Sequence, residues 1–156
     1  MNYLTLDNID RQLLTALQKN GRTTTGELAD AVHLSPSPCW RRVRNMEDAG
    51  LIEGYHAHLS RRKLGFGVTG FVHLQMENHT PEASASFERE VVALPLVLAC
   101  HNLSGHYDYL LEVVGKDLES FSEYVRNRIR ALPGVREIST SFSLKQIKQS
   151  DTLPIP

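Results

Sequence analysis

Leu34-Ser35-Pro36-Ser37-Pro38-Cys39-Trp40-Arg41-Arg42-Val43-Arg44-Asn45-Met46 is the stretch on which the reading of this 156-residue chain turns. Ser35 is a strong helix N-cap candidate, and Pro36 suits the first helical position, where its missing N–H costs nothing. Pro38 still falls in the first turn, and Gly50 ends the helix after Ala49. At 100° per residue, Cys39, Trp40, Val43 and Met46 form an inward stripe. Ser37, Arg41, Arg44 and Asn45 point away from it, with Arg42 at the flank. A guanidinium can clamp a phosphate or bond a guanine edge bidentately, and an asparagine amide can read adenine. The free N–H groups at the helix start, beside Ser35, add phosphate affinity. The same pattern also describes an ordinary solvated helix face, so its neighbours must decide.

Upstream lie two further helix signals. Asp7 with Asp10 three residues on marks an N-terminus, and Leu6, Ile9, Leu13, Leu14 and Leu17 follow at helical spacing until Asn20-Gly21. Thr23 to Thr25 offer caps for a short helix with Leu28, Ala29 and Val32 on its apolar side. A short helix, about four residues of turn, and a Ser-Pro-capped helix make a helix-turn-helix, which turns the arginines from a charged face into DNA-contact candidates. Gly50 to Tyr55 reads as a turn into a short strand, completing a winged form over residues 1–54. Residues 55–67 read as a linker, in which Arg61, Arg62 and Lys63 are read as solvating charges ahead of the alternative, contacts to the DNA backbone, and Gly65 and Gly67 mark the boundary.

From Val68 the period changes to two. Val72, Leu74 and Met76 alternate with His73, Gln75 and Glu77, the pattern of a half-buried strand. Thr80-Pro81-Glu82 opens a helix with Phe87, Val91 and Leu94, and strands follow at Leu96 to Leu103 and Tyr107 to Val114. Asp117 caps a helix carrying Leu118, Phe121, Val125, Ile129 and Leu132, and a last strand runs from Val135 to about Ile147. Ala93-Leu94-Pro95-Leu96-Val97 recurs as Ala131-Leu132-Pro133-Gly134-Val135 at the two helix-to-strand junctions. Two βαβ-like halves with right-handed crossovers predict a ferredoxin-like βαββαβ domain over residues 68–156, in an α+β chain. With both helices on one face, the other sheet face needs a cover, and a second copy of the domain is the simplest one.

Several classes are disfavoured. No apolar run approaches the ~18 residues that cross a bilayer. Met1 to Asp10 lacks the basic stretch and apolar core of a signal peptide. Cys39 and Cys100 show no CxxC spacing, as expected of a reduced, cytoplasmic chain. A net charge of −1 argues against an indiscriminate nucleic-acid binder. No nucleophile motif or phosphate loop points to an enzyme. His56-x-His58 and the Cys100, His101 and His106 group do not make a familiar metal-ligand set, so no metal is expected.

Read along the whole chain, the sequence resembles the leucine-responsive and asparagine-responsive regulators, the Lrp/AsnC or feast/famine family. The residues that carry the resemblance are Leu6-Asp7-Asn8-Ile9-Asp10, Leu17-Gln18-Lys19-Asn20-Gly21-Arg22, Leu34 to Cys39, Gly50-Leu51-Ile52 and Gly54-Tyr55. In the second domain they are Ser104 to Leu111, Leu132-Pro133-Gly134-Val135 and Phe142 to Lys148. The resemblance implies a sequence-specific transcriptional regulator of double-stranded DNA. It implies a homodimer that assembles further, commonly to octamers, and an amino-acid effector bound between subunits. The carried-over effector site is the turn Gly105, His106, Tyr107 and Asp108, with Leu118 and with Ser141, Phe142 and Ser143. A glycine turn can present backbone N–H groups to a carboxylate, and Asp108 can receive an ammonium or bond neighbouring backbone. His106 departs from the acidic residue common in the family, so selectivity does not transfer, beyond an expectation of a small, apolar or sulfur-containing amino acid. The rival reading is a ligand-independent or architectural DNA-binding protein.

Overall fold

A computed structural model of the chain describes residues 5–150 and 152–156. The first four residues of the 1–54 and Met1 to Asp10 readings, and Asp151 of the 68–156 reading, lie outside these. The described residues divide into two compact units. One comprises the chain up to His58 together with Lys148–Pro156, and the other Leu59–Ile147.

The first unit is built from α1 (Asn8–Lys19), α2 (Thr25–Ala31) and α3 (Pro36–Asp48). Asp7 caps α1 in a reciprocal box with Asp10, and Thr24 caps α2 in the same way with Glu27, so orphan N–H groups at both starts are satisfied. The turn between α2 and α3 passes through His33 at φ 55, and the Leu34 N–H returns to the Ala29 carbonyl (2.9 Å). That is a helix stop of the type glycine usually fills. Leu13, Leu17, Leu28, Ala29, Val32, Cys39 and Met46 are buried together, the larger ones worth about 1.5–3 kcal/mol each. Trp40 does not join them: it is 59% exposed. It follows Cys39 by one residue, hence 100° of rotation, whereas Val43 and Met46 lie four and seven residues on and return to the Cys39 side.

The expected strand at Gly50 to Tyr55 is not formed. The Leu51 and Ile52 N–H groups instead bond the Met46 carbonyl (2.9 and 3.2 Å), closing α3 after Gly50. The C-terminal residues return to this unit rather than to the second. The Gln18 side-chain amide clasps Leu153, accepting from its N–H (2.6 Å) and donating to its carbonyl (3.1 Å).

The second unit is an antiparallel sheet of β1 (Val68–Met76), β2 (Val97–Asn102), β3 (Tyr109–Gly115) and β4 (Val135–Phe142), in the order β2-β3-β1-β4. Between β1 and β2 runs α4 (Pro81–Val92), and after β3 comes α5 (Leu118–Tyr124), continued by one π-helical turn, Val125–Ile129. This is the expected βαββαβ order. Phe87 and Val91 of α4, Phe121 of α5 and Ile129 pack with Val72, Leu74, Leu111 and Val113, so both helices cover the same sheet face. Alternation puts Phe71, His73, Gln75, Leu110, Glu112, Ser139 and Ser141 on the other face. The last strand is shorter than expected. It ends at Phe142, opposite Gly70 near the start of β1, and the Ser143 N–H makes a final bond to the Thr69 carbonyl (2.9 Å).

Candidate nucleic-acid and effector sites

On α3 the structure separates the arginines. Arg42 reaches back to α1, where its Nη1 donates to Asp7 Oδ2 (2.7 Å) and Asp10 Oδ1 (2.8 Å). The two acids that cap α1 thus also anchor α3. The Asp10 backbone N–H, and next the Arg42 guanidinium, hold the Asp7 carboxyl below its usual range. Arg42, expected at the flank of the DNA-contact face, is thus engaged by α1 in the structure. It lies three residues from buried Cys39, on the inner flank of the helix, and its Nη1 is directed at α1. No periodicity of α3 alone could have shown this; the signal was the Asp7, Asp10 pair.

Ser37, Arg41, Arg44 and Asn45 are exposed. Among the described residues Arg41 has no ion-pair or hydrogen-bond partner. Arg44 lies near Glu47 (3.6 Å) and Asp48 (3.3 Å) one turn on. Such exposed pairs are weak and exchange readily for a phosphate. Ser35 caps α3 through its extended backbone only, and its side chain makes no cap bond. Beside this face a cleft of about 230 Å³ is lined by Gly21, Thr23, Trp40, Arg44, Glu47 and Tyr55, among others. The Tyr55 hydroxyl donates to Glu47 (3.0 Å), and burial, then that carboxylate, raises its pKa.

In the second unit the β2–β3 turn is tied down from within. Gly105 sits at φ 139, which only glycine adopts readily. Asp108 Oδ2 accepts from the Met76 N–H (2.7 Å), and its Oδ1 lies 3.7 Å from His79 Nδ1. The Asp108 carboxylate therefore has structural work in the turn. Gln75, a buried polar side chain, donates to the His106 carbonyl (2.9 Å) and accepts from Arg136 Nη2 (2.7 Å). Tyr107 lies between the rings of His73 (4.9 Å) and His106 (4.7 Å). Sequence reasoning missed Gln75 and Arg136, because a polar residue in an alternating strand reads as solvent-facing.

The candidate effector residues are not gathered within one chain. Asp108 bonds the Leu74 and Met76 end of β1, while Phe142 pairs with Gly70 and touches Phe121, and Leu118 opens the helix after Gly115. Leu74 and Gly70 are four residues apart along β1, about 13 Å. Leu118 and Phe142 are both exposed, at 58% and 41%. Among the described residues no group of three or more His, Cys, Asp or Glu is placed to hold a metal ion, and no helix is long and apolar enough to cross a membrane.

A helix-turn-helix unit followed by a helix-backed four-stranded sheet is the architecture of a DNA-binding regulator with a separate effector domain. Family models agree: residues 6–53 match a winged helix-turn-helix DNA-binding model, and residues 69–153 match the Lrp/AsnC ligand-binding domain. The chain is 37% identical over 150 residues to the DNA-binding transcriptional activator DecR of Escherichia coli K12, covering 96% of this chain and 99% of that one. It is equally 37% identical to the leucine-responsive regulatory protein of the same organism, covering 96% and 92%. The solved structure of a Neisseria meningitidis transcriptional regulator in complex with L-Met superposes with a TM-score of 0.91 at 39% identity, over 96% of this chain and 97% of that one. The chain belongs to the Lrp/AsnC family of DNA-binding transcriptional regulators.

Proposed function

We propose that the protein is a cytoplasmic regulator that reads duplex DNA with the outer face of α3 and changes its occupancy when an amino acid binds the second unit. The observation that carries the DNA half is Arg41: exposed, unpaired among the described residues, and on the face opposite the core. Ser35, Ser37, Arg44 and Asn45 are its companions in contact, and Arg42 is the brace behind them. In a homodimer, paired α3 helices would enter successive major grooves about one helical turn apart. The chain acts by binding, with no catalytic step and no cofactor beyond its effector.

The effector pocket is proposed to form between copies. The separation of the Gly105–Asp108 turn from Leu118 and Ser141–Ser143 supports this, because one chain holds the two halves apart, with Gly105, His106, Leu118, Ser141 and Phe142 exposed. Two copies, in a dimer or an octamer, can bring one chain's turn to another's strand end. The L-Met bound by the Neisseria relative makes an amino acid, methionine first, the ligand to try.

A thermal-shift screen against the twenty amino acids at millimolar concentration tests this half. A ligand at ~100 times its dissociation constant stabilises by about 2.7 kcal/mol. No shift with any of them overturns the effector reading and leaves DNA recognition standing. For DNA, a selected duplex should bind at least ~10³ times more tightly than a scrambled one at the same salt. Equal binding would instead mean an architectural protein.

A further inference from the structure

We propose that Trp40 contacts DNA directly, its indole edge lying against the 5-methyl group of a thymine in the major groove beside Arg41. The inference rests on α3 being the reading helix and adds a residue to that face.

Ser37, Trp40, Arg41 and Arg44 stand at i, i+3, i+4 and i+7, so they share one face of α3. Cys39, Val43 and Met46 hold the opposite face in or against the core. Trp40 is 59% exposed, with Ser37, Arg41 and Arg44 beside it on the helix and Leu17, Leu28, Val43 and Tyr55 among the residues that line the cleft on its other side. Folding accounts for the covered part of this indole and leaves more than half of it in solvent, beside two arginines. Its position in the first half of the helix is the part that enters a groove in helix-turn-helix proteins. Base faces are stacked inside a duplex, so a side chain held on a rigid helix meets base edges. Among those edges thymine alone offers an apolar group, its methyl. A flat apolar ring beside a guanidinium therefore suits a thymine next to a guanine.

Trp40 is the only tryptophan in the chain, so its emission reports on this residue alone. The test begins with duplexes selected from a random pool by the wild-type protein. Acrylamide quenching of Trp40 is measured in the free protein, with the selected duplex and with a scrambled one. Each thymine of the selected site is then replaced by deoxyuridine, which removes only the methyl, and affinity is measured for the wild type, Trp40→Ala and Trp40→Phe.

The expected result is a quenchable Trp40 in free protein that becomes protected on the selected duplex. One thymine replacement should cost the wild type about fourfold in affinity, the weight of one buried methyl. The same replacement should cost Trp40→Ala nothing, and Trp40→Phe should fall between. Three outcomes overturn the proposal while DNA recognition stands. Trp40 stays quenchable in the specific complex; or no thymine replacement distinguishes wild type from Trp40→Ala; or Trp40 is already protected in the free protein, which would mean another copy covers it. Failure to select any duplex would instead sink the DNA reading on which the proposal depends.

Discussion

Gly70→Ala should destabilise the second unit more than its size suggests. A Cβ at Gly70 would lie 2.4 Å from Phe121 Cζ and 2.8 Å from Cε2. Carbon atoms pack at about 3.5–4.0 Å, so the ring would have to retreat by about 1 Å. It has little room to do so: Phe121 is 1% exposed, and its own Cβ would lie 2.9 Å from a Cβ at Gly115 on the next strand. Two glycines on neighbouring strands thus make the floor on which this ring lies. Overpacking of this kind costs about 1–3 kcal/mol. For a unit the size of residues 59–147, that is a fall in melting temperature of about 4–8 °C per kcal/mol. Urea unfolding would measure it, with Phe121→Leu and the double variant completing a cycle. A smaller side chain at 121 should recover part of the loss, giving a coupling of about 0.5–3 kcal/mol. If Gly70→Ala is neutral, or the two losses simply add, the ring does not rest on that glycine and the reasoning fails.

Three further outcomes are expected. Arg42→Met should weaken binding to every duplex alike and leave the slope of log affinity against log salt unchanged, because Arg42 braces α1 and touches no phosphate; a slope shallower by about 1 would make it a phosphate contact after all. His33→Gly should stabilise by about 0.5–1 kcal/mol, since glycine relieves the left-handed backbone of the turn at some cost in unfolded-chain entropy; a lower urea midpoint would show that the imidazole has a partner worth more. The carboxyls of Asp7, Glu27 and Asp117 are held below their usual range, each first by a backbone N–H at its helix start. Because their folded pKa values lie below the unfolded ones, their stabilisation is present at neutral pH and is lost as pH falls through about 4 and below. A urea midpoint that stays level from pH 6 to pH 3 would contradict that.

Much of the fold was legible because its signals are local. Asp7 with Asp10, Thr24 with Glu27 and Asp117 with Ser120 are cap pairs three residues apart, and each opens the helix it announces. Val72, Leu74 and Met76 alternate because one sheet face alone is packed against helices. What escaped depends on partners distant in sequence. The segment after Gly50 reads as a strand by composition, yet among the described residues no strand lies within its unit to pair with it, and the Leu51 and Ile52 N–H groups turn back to Met46. Lys148–Pro156 carries no periodicity to show where it goes, and the bonds from α1, Gln18 to Leu153 and Arg11 to the Pro156 carbonyl, show that it joins the first unit.

The candidate site was legible to the extent that helical rotation alone could sort it. Arg41 and Arg42 are adjacent and chemically identical, and nothing in α3 says which one is free. The sorting comes from thirty-five and thirty-two residues upstream, where Asp7 and Asp10 place two carboxylates over the flank that Arg42 occupies. Those same carboxylates are already committed to capping α1, so the Arg42 contact adds no new acid to the surface. It couples the start of α1 to the orientation of α3, and the exposure of Arg41 and Trp40 follows from that orientation. A substitution at Asp10 should therefore disturb DNA binding from a position that touches no DNA. The two proposed effector half-sites escape for a different reason: the Gly105–Asp108 turn and Ser141–Ser143 sit at opposite ends of β1 in one chain. The pocket proposed above takes its walls from different copies, and no reading of a single chain, by sequence or by structure, assembles such a pocket.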